Sequence, residues 1–248
     1  MADNATPYVR QNGSATELDD FRIREAEDVE GYVRIDGQPV QFWPTDRFID
    51  SFEEYENPNA LFFNWTADGS GDTTLKSGGL VPNSTQCVRQ TGTTELRSMV
   101  GDGLENYVEL GETIEAYFRP QALGSRSYWI LVNAEADQWS TTTETWRLEF
   151  LMHSGLRIVY FDGSSRNIRG SYDSDYTWNS NTTYRIEFQF SSNEIWVDVY
   201  AGVDSSNRVT WGSTTDVSSS ELGDPMNIGL RSSSGSGECR WDWLRYAE

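Results

Sequence analysis

The feature that most constrains the fold is a strict alternation of apolar and polar side chains over short segments. In YRIEFQF, residues 184–190, the apolar Ile186 and Phe188 alternate with Arg185, Glu187 and Gln189. A period of two places the apolar residues on one face of a β-strand and the polar residues on the other. Segments of β-prone residues, many of which show this alternation, predict strands at nine places: 84–90, 112–120, 127–135, 145–153, 156–163, 182–190, 194–202, 226–233 and 239–248.

These segments predict an all-β fold made of two antiparallel sheets packed face to face. Each sheet of such a sandwich needs one apolar face for the core and one polar face for solvent, which the alternation supplies. The composition agrees, because aromatic residues make up 13% of the chain and no segment predicts a helix of more than a few turns.

A shorter repeat precedes these strands. The blocks YVRQNGSATELD, DFRIREAEDVEG and YVRIDGQPVQFW follow one another with a period of twelve, which aligns Arg10, Arg22 and Arg34. The dipeptides Asn12-Gly13 and Asp36-Gly37 are typical of type I′ turns, so the first and third blocks predict β-hairpins. The middle block lacks the glycine turn but begins with the same alternation.

The repeat segment, residues 1–47, has too few apolar residues to bury a core, and an isolated hairpin is marginally stable in water. We therefore expect it to be an attachment or oligomerisation segment, in which Tyr8, Tyr32 and the three aligned arginines make assembly contacts. The alternative is a surface meander that packs on the main domain, residues 48–248.

Two segments at the start of the main domain carry other patterns. Phe48, Ile49, Phe52 and Tyr55 have helix-like spacing, which predicts a single helical turn capped by Asp46. The segment 66–85, TADGSGDTTLKSGGLVPNST, is rich in glycine, serine and aspartate and predicts a loop.

The charge of the chain excludes several classes of partner. The net charge is -20, from 39 acidic and 19 basic residues, and Lys76 is the only lysine. Nucleic acids and anionic membrane surfaces need clustered basic residues, so neither is expected as a partner. The hyperacidic composition resembles that of proteins from salt-in halophiles, the alternative being an ordinary acidic secreted protein. No signal peptide or membrane-spanning run is visible, so we expect cytoplasmic synthesis without membrane insertion.

Four segments resemble the concanavalin-like and laminin-G-like family of jelly rolls. They are FIDSFEEYENPNALFFNW, STQCVRQTG, YTWNSNTTYRIEFQFSSNEIWVDVYAG and MNIGLRSSSGSGECRWDWLRYAE, and they cover roughly residues 48–248. Together with the preceding repeats, they look like tail-fibre, baseplate or capsid-appendage proteins of tailed viruses that infect haloarchaea. The resemblance implies a jelly-roll sandwich on a virion surface, whose partners are copies of itself, other virion proteins and host cell-surface glycans or surface-layer glycoprotein.

The resemblance also implies a glycan-binding face. Outward-pointing aromatic and charged side chains on the central strands suit sugars, because C–H groups stack on rings and hydroxyls take polar partners. The residues predicted for this role are Trp196, Asp198, Tyr200, Arg185, Glu187 and Arg147. The alternative is that these aromatics cover a subunit contact.

Calcium is the usual structural cofactor of the family, and Asp68, Asp72 and Asp162 are candidate ligands, unless they are simply solvated charges. Cys87 and Cys239 are either two buried free thiols or one disulfide that joins an early strand to the last one. His153 stands alone, so the sequence contains no histidine cluster.

Enzymes also occur in this family. Its glycosidases resemble one another in an E-x-D-x-x-E or E-x-D-x-E strand, and residues 48–248 contain no such run. TTELR, residues 93–97, is similar to the first motif of one alginate-lyase family, in which the arginine neutralises a substrate carboxylate, but the histidine and tyrosine motifs of that family are missing. We expect a binding protein; the alternatives are a purely architectural decoration protein or a polysaccharide-active enzyme.

Overall fold

The computed structural model divides the chain into two compact units, Met1–Arg47 and Phe48–Glu248. It describes residues 8–11, 14–17, 32–35, 38–41, 48–53, 55–62, 65–98, 107–133, 144–223, 226–233 and 237–247.

The first unit contains two antiparallel β-hairpins, which confirms the prediction for the first and third repeats. In one hairpin β1 (Tyr8–Gln11) pairs with β2 (Ser14–Glu17), and in the other β3 (Tyr32–Ile35) pairs with β4 (Gln38–Gln41). Both have four-residue strands and the same register, so Arg10 and Arg34 occupy equivalent positions. The middle repeat, including Arg22, lies outside the described residues, and the assembly role of this unit stays a prediction.

Two antiparallel sheets form the second unit, so the predicted all-β, two-sheet jelly-roll sandwich is confirmed. Sheet one contains β5 (Phe48–Asp50), β7 (Asp72–Ser77), β8 (Gln86–Thr91), β11 (Thr113–Pro120), β16 (Ser171–Tyr172), β17 (Tyr184–Phe190), β18 (Ile195–Ala201), β19 (Arg208–Thr214) and β21 (Glu238–Tyr246). Sheet two contains β6 (Trp65–Gly69), β9 (Thr94–Ser98), β10 (Tyr107–Val108), β12 (Ser127–Asn133), β13 (Glu144–Leu151), β14 (Gly155–Asp162), β15 (Arg166–Arg169) and β20 (Met226–Ser233).

The strand order brings distant parts of the chain together. Sheet one runs β16-β19-β18-β17-β11-β21-β8-β7, with β5 also paired to β21. Sheet two runs β15-β14-β13-β12-β20-β9-β6, with β10 also paired to β20. All nine predicted segments contain strands. The strands that the sequence did not reveal are mostly short, but they include the seven-residue β19 and the internal β9.

The loop predicted for residues 66–85 is wrong, because most of β6 and all of β7 fall within it. Its glycines allow a close crossing from one sheet to the other. Gly69 has φ +119°, and a Cβ atom on Gly71 would come within 1.7 Å of the Thr91 carbonyl oxygen. Glycine here permits a tight turn between strands, so its abundance does not mark a long loop.

The helical turn predicted around residues 46–55 is also wrong. Phe48–Asp50 forms β5, and the short helix α1 (Pro58–Leu61) begins later, where the Asn57 side chain caps it. The buried Asp50 carboxylate accepts hydrogen bonds from the backbone N–H of Phe52 at 2.7 Å and from Trp65 Nε1 at 2.5 Å, which hold the segment in a non-helical turn. No helix among the described residues is long and apolar enough to cross a membrane.

A cluster of aromatic rings joins the two sheets. The Phe118 ring of sheet one lies 4.5 Å from that of Trp241 in the same sheet, and 5.2 and 5.9 Å from those of Tyr128 and Phe150 in sheet two, measured between centroids. All four side chains are buried. Burial of an aromatic side chain of this size contributes about 2–3 kcal/mol, and the ring contacts add to it.

The predicted alternative of a disulfide between Cys87 and Cys239 is wrong, because both cysteines are free and buried. Val88 and Cys239 belong to the core between the sheets. Cys87, one residue before Val88, points to the opposite face, where it packs with Leu80 and Tyr117. Side chains on opposite faces of one sheet cannot meet. Burial raises the pKa of the Cys87 thiol to about 11.

Asp242 is a fully buried carboxyl group beside this smaller cluster. It accepts hydrogen bonds from the backbone N–H of Leu80 at 2.6 Å and of Trp243 at 3.0 Å. Trp243 is the extra residue of a β-bulge opposite β11 and has φ +34°. Burial raises the pKa of Asp242 from an ordinary value of 3.8 to about 6, although the hydrogen bonds favour its charged form.

We predict that Asp242 makes the protein less stable as the pH rises from about 4 to about 6. The folded state binds the Asp242 proton more tightly than the unfolded state does. The protonated carboxyl therefore adds to the free energy of unfolding below pH 4, and this addition is lost as the carboxyl ionises. The shift from 3.8 to about 6 corresponds to about 3 kcal/mol. Denaturant unfolding of wild type and Asp242→Asn across this range measures the difference. Asp204→Asn, at an exposed position, is the control, and parallel pH profiles for wild type and Asp242→Asn would contradict the prediction.

Candidate functional site

The predicted glycan-binding residues of β17 and β18 lie together on the outer face of sheet one. Arg185 pairs with Tyr200, and Glu187 pairs with Asp198. Trp196 lies on the same side of β18, one alternate position before Asp198. The structure thus brings five of the six predicted residues together, and we call their surface, with the outward residues of β19, the Trp196 face.

Tyr200 does not offer an open ring on this face. The Arg185 guanidinium carbon lies 4.5 Å from the centroid of the Tyr200 ring. The same guanidinium contacts Glu187 at 3.3 Å and Glu115 at 3.6 Å. Burial and the neighbouring carboxylate of Glu187 raise the pKa of the Tyr200 hydroxyl. Arg185 and Tyr200 therefore act together as one stacked, charged unit.

Trp211 is an aromatic residue of this face that the sequence prediction missed. It lies in β19 directly opposite Asp198, and it is 39% exposed. Because Trp196 pairs with Ser213, Trp211 is its diagonal neighbour, at about 7–8 Å between backbones. The alternation in RVTWGST, residues 208–214, could have predicted the strand but not the exposed ring, because it places Val209 and Trp211 on the apolar face, whereas the structure buries Thr210 and Thr214.

Polar groups surround these two indole rings. Arg208 Nη1 lies 2.9 Å from Asp198 Oδ1, and the guanidinium carbon lies 5.9 Å from the centroid of the Trp211 ring. Trp196 Nε1 donates a hydrogen bond to Gln189 Oε1 at 3.2 Å. The part of sheet one formed by β17, β18 and β19 therefore combines two indole rings with a carboxylate, a guanidinium and an amide.

The sixth predicted residue, Arg147, lies elsewhere. It is on β13, and its side chain points away from the core on the outer face of sheet two. There the residues Glu149, Trp129, Arg231 and Glu95 stand directly opposite one another on β13, β12, β20 and β9. We call this surface the Trp129 face. Arg147 therefore belongs to a different surface from the other five predicted residues.

Each described carboxylate of the Trp129 face forms an ion pair with an arginine. Glu95 contacts Arg97 at 3.0 Å and Arg231 at 2.7 Å, and Arg97 also reaches Asp68 at 2.9 Å. Glu149 is almost fully buried, and its carboxylate is held by Arg166 through two nitrogens.

Of the carboxylates of the Trp129 face, Glu95 and Glu149 are too far apart for a glycosidase pair, and Asp68, which stands opposite Glu95, shares Arg97 with it. The outward positions of β13 hold Thr145, Arg147 and Glu149, so this strand carries one outward carboxylate. Glu95 and Glu149 are three strand spacings apart, which is about 14 Å. The acid and base of glycosidases are about 5–9.5 Å apart. Arg97 of the lyase-like TTELR segment is engaged by Glu95 and Asp68.

The candidate calcium ligands do not come together. Asp68 lies on β6 of sheet two, and Asp72 lies on β7 of sheet one. Asp162, at the end of β14, accepts hydrogen bonds from the backbone N–H of Ser165 at 2.6 Å and of Ser164 at 2.9 Å, which lower the pKa of its carboxyl to about 2. Among the described residues, no group of three or more histidine, cysteine, aspartate or glutamate side chains could hold a metal ion.

The sequence matches no protein-family model and no curated protein. Solved structures do match. A GH16 protein of the Bacteroides ovatus mixed linkage glucan PUL, in complex with a G4G4G3G product, has a TM-score of 0.55 at 9% identity, covering 80% of this chain and 98% of its own. A glycoside hydrolase family 16 endo-glucanase from Bacteroides ovatus has a TM-score of 0.55 at 10% identity, with coverages of 80% and 98%. A protein from work on endo-acting O-glycanases of human gut microbiota has a TM-score of 0.50 at 14% identity, with coverages of 80% and 97%.

At these identities the likeness shows the fold alone. The jelly roll is the concanavalin-like sandwich that the sequence resemblance implies, and glycoside hydrolases share it. The prediction that this chain is not an enzyme therefore stays a prediction, as does its viral origin.

The ion pair between Arg166 and Glu149 gives an asymmetric prediction. The Glu149 side chain is 2% exposed and that of Arg166 is 40% exposed. We expect Arg166→Met to lower the free energy of unfolding by about 3 kcal/mol, because it leaves a buried carboxylate unpaired. Glu149→Gln should lower the free energy of unfolding by only about 1 kcal/mol, because the Arg166 side chain can turn towards water.

Urea denaturation of the two variants measures this difference. Arg208→Met, which removes a more exposed arginine from an ion pair on sheet one, is the control and should change stability by less than about 1 kcal/mol. Equal losses from Arg166→Met and Glu149→Gln, or a larger loss from Glu149→Gln, would show that the pair is not buried on the Glu149 side.

Proposed function

We propose that the chain is a virion-surface subunit of a tailed virus of haloarchaea, whose jelly roll attaches the particle to host-surface glycans through the Trp196 face. The proposed glycan recognition rests on two indole rings on adjacent strands, those of Trp196 on β18 and of the exposed Trp211 on β19. The ion pair between Asp198 and Arg208 flanks them.

The chemistry of this pair suits a sugar. An indole ring provides a flat apolar surface for the C–H groups of a pyranose, and it loses little conformational entropy on binding. The carboxylate of Asp198, the guanidinium of Arg208 and the amide of Gln189 offer both acceptors and donors for hydroxyl groups at the edge of the rings. Isolated exposed aromatics are ordinary on protein surfaces, but here the exposed Trp211 and the half-buried Trp196 are diagonal neighbours on adjacent strands.

The attachment role rests on the first unit. Its two hairpins repeat the same strand length and register, and they place Arg10 and Arg34 at equivalent positions. Equivalent units in series suit contacts with several copies of a partner. The net charge of -20 and the near absence of lysine support a protein that stays soluble in concentrated salt, as a particle of haloarchaeal habitats must.

We predict that Trp211→Ala and Trp196→Ala each weaken glycan binding by about tenfold, because each removes a stacking surface worth more than 1 kcal/mol. Binding is measured on a glycan array and by adsorption to haloarchaeal cell envelopes in concentrated salt. Phe62→Ala is a matched control, because Phe62 is an aromatic residue that is also 39% exposed and lies after α1. Array silence and unchanged adsorption would overturn the recognition role and leave the architectural alternative.

A second prediction concerns assembly. Replacing Arg10, Arg22 and Arg34 with glutamine should lower the apparent mass of the chain in sedimentation at high salt and reduce its incorporation into particles. Replacing Arg89, Arg119 and Arg240 of the jelly roll with glutamine removes the same charge and should leave assembly unchanged. A wild-type chain that remains monomeric at millimolar concentration would contradict the assembly role.

A further inference from the structure

The Trp129 face carries an excess of positive charge in a chain that is otherwise strongly acidic. Its described outward residues include five arginines and three carboxylates, whereas the whole chain has a net charge of -20. They are Arg97, Arg147, Arg157, Arg166, Arg231, Asp68, Glu95 and Glu149. A local excess of arginine on such a chain selects against cations and favours an anionic ligand.

Two of these arginines lack a carboxylate partner among the residues that the structure describes. The three carboxylates are bound by Arg97, Arg166 and Arg231. Within the described part of the chain, neither Arg147 nor Arg157 makes an ion pair. The Nε–H groups of Arg147, Arg157 and Arg231 are buried there without a hydrogen-bond acceptor. These Nε–H groups are shielded from any ligand, but the side chains of Arg147 and Arg157 are partly exposed, so an external anion can supply the counter-charge that the described carboxylates do not.

Arg147 is held in place by aromatic rings. Its guanidinium carbon lies 4.3 Å from the centroid of the Phe161 ring and 5.2 Å from that of Trp129. Arg231 approaches the Trp129 ring at 4.6 Å. Burial lowers the pKa of Arg147, which shows that the charge is partly desolvated. A guanidinium that is stacked on a ring and removed from water presents a fixed, planar fork, which binds planar oxyanions in a bidentate manner.

The arginines of this face are distributed across its strands, with Arg157 on β14, Arg147 on β13 and Arg231 on β20. Arg157, Glu149, Trp129, Arg231 and Glu95 stand opposite one another on five adjacent strands, which spans about 19 Å. This length exceeds that of a single small anion. We infer that the Trp129 face binds an acidic polysaccharide, whose carboxylate or sulfate groups are held by Arg147 and Arg157. The site is on the outer face of sheet two, so it is separate from the Trp196 face of sheet one and does not depend on the function proposed for it.

The test measures the affinity of the full-length protein for polymers in one buffer of fixed salt concentration. Dextran sulfate supplies sulfate groups, polygalacturonate supplies carboxylates, and unmodified dextran is the neutral control. We expect at least one of the two acidic polymers to bind and dextran not to bind. Arg147→Gln and Arg157→Gln should each weaken that binding by about tenfold, the usual effect of losing a charge-assisted hydrogen bond. Lys76→Gln, which removes the same charge from an exposed position on β7, should change it less than twofold.

The polymer that binds identifies the oxyanion, sulfate or carboxylate, and either result supports the site. Equal binding to dextran, or unchanged affinity in a folded Arg147→Gln and a folded Arg157→Gln, would overturn it. Inorganic sulfate that displaces the polymer at equal molar concentration would indicate an adventitious ion only and would also overturn it. Thermal melting identifies a variant that does not fold, in which case the other arginine variant decides. Trp211→Ala should leave the acidic-polymer affinity unchanged, which separates this site from glycan binding by the Trp196 face.

Discussion

Aromatic rings packed between the two sheets set the orientation of the strands that contribute them. Phe118 contacts rings from both sheets, and Trp178 adds edge-on contacts to Phe150 at 5.5 Å and to Tyr184 at 4.8 Å. Each strand must turn its apolar residues towards this cluster. Because side chains alternate, that requirement also decides which residues point outwards. The two polar faces are therefore consequences of how the core is packed.

The two outer faces use their arginines differently. On the Trp196 face the carboxylates Glu187 and Asp198 stand opposite each other, and they are paired with Arg185 and Arg208 respectively. Like charges on adjacent strands repel one another, and the arginines relieve that repulsion. On the Trp129 face Arg147 packs on aromatic rings and has no carboxylate partner among the described residues. A lysine that is partly removed from water and has no carboxylate partner can lose its proton. An arginine in the same environment stays protonated, so the positive charge persists.

The sequence predicted local relations well and distant ones poorly. The outward residues of β17 and β18, from Arg185 to Tyr200, were expected to share a face, and they do, because a short turn joins the two strands and sets their register. Arg147 was grouped with them because alternation shows that its side chain points outwards. Alternation does not show to which sheet its strand belongs. That depends on β12 pairing with β20, which lies almost a hundred residues later. The predicted alternative of a disulfide was wrong for a related reason. Cys87 and Cys239 lie on neighbouring strands, but their side chains point to opposite faces of the sheet, which the sequence does not show.

Glycoside hydrolases share this jelly-roll fold, but the fold does not decide activity, which depends on what the carboxylates are free to do. Catalysis of glycoside hydrolysis requires two carboxyl groups close to one bond, with one of them able to donate a proton. Here Glu149 is buried against Arg166, and Glu95 is shared by Arg97 and Arg231. These carboxylates hold arginines in position, so the groups that the Trp129 face offers to a ligand are mainly guanidinium groups. Such an arrangement favours retaining an anion over transferring a proton.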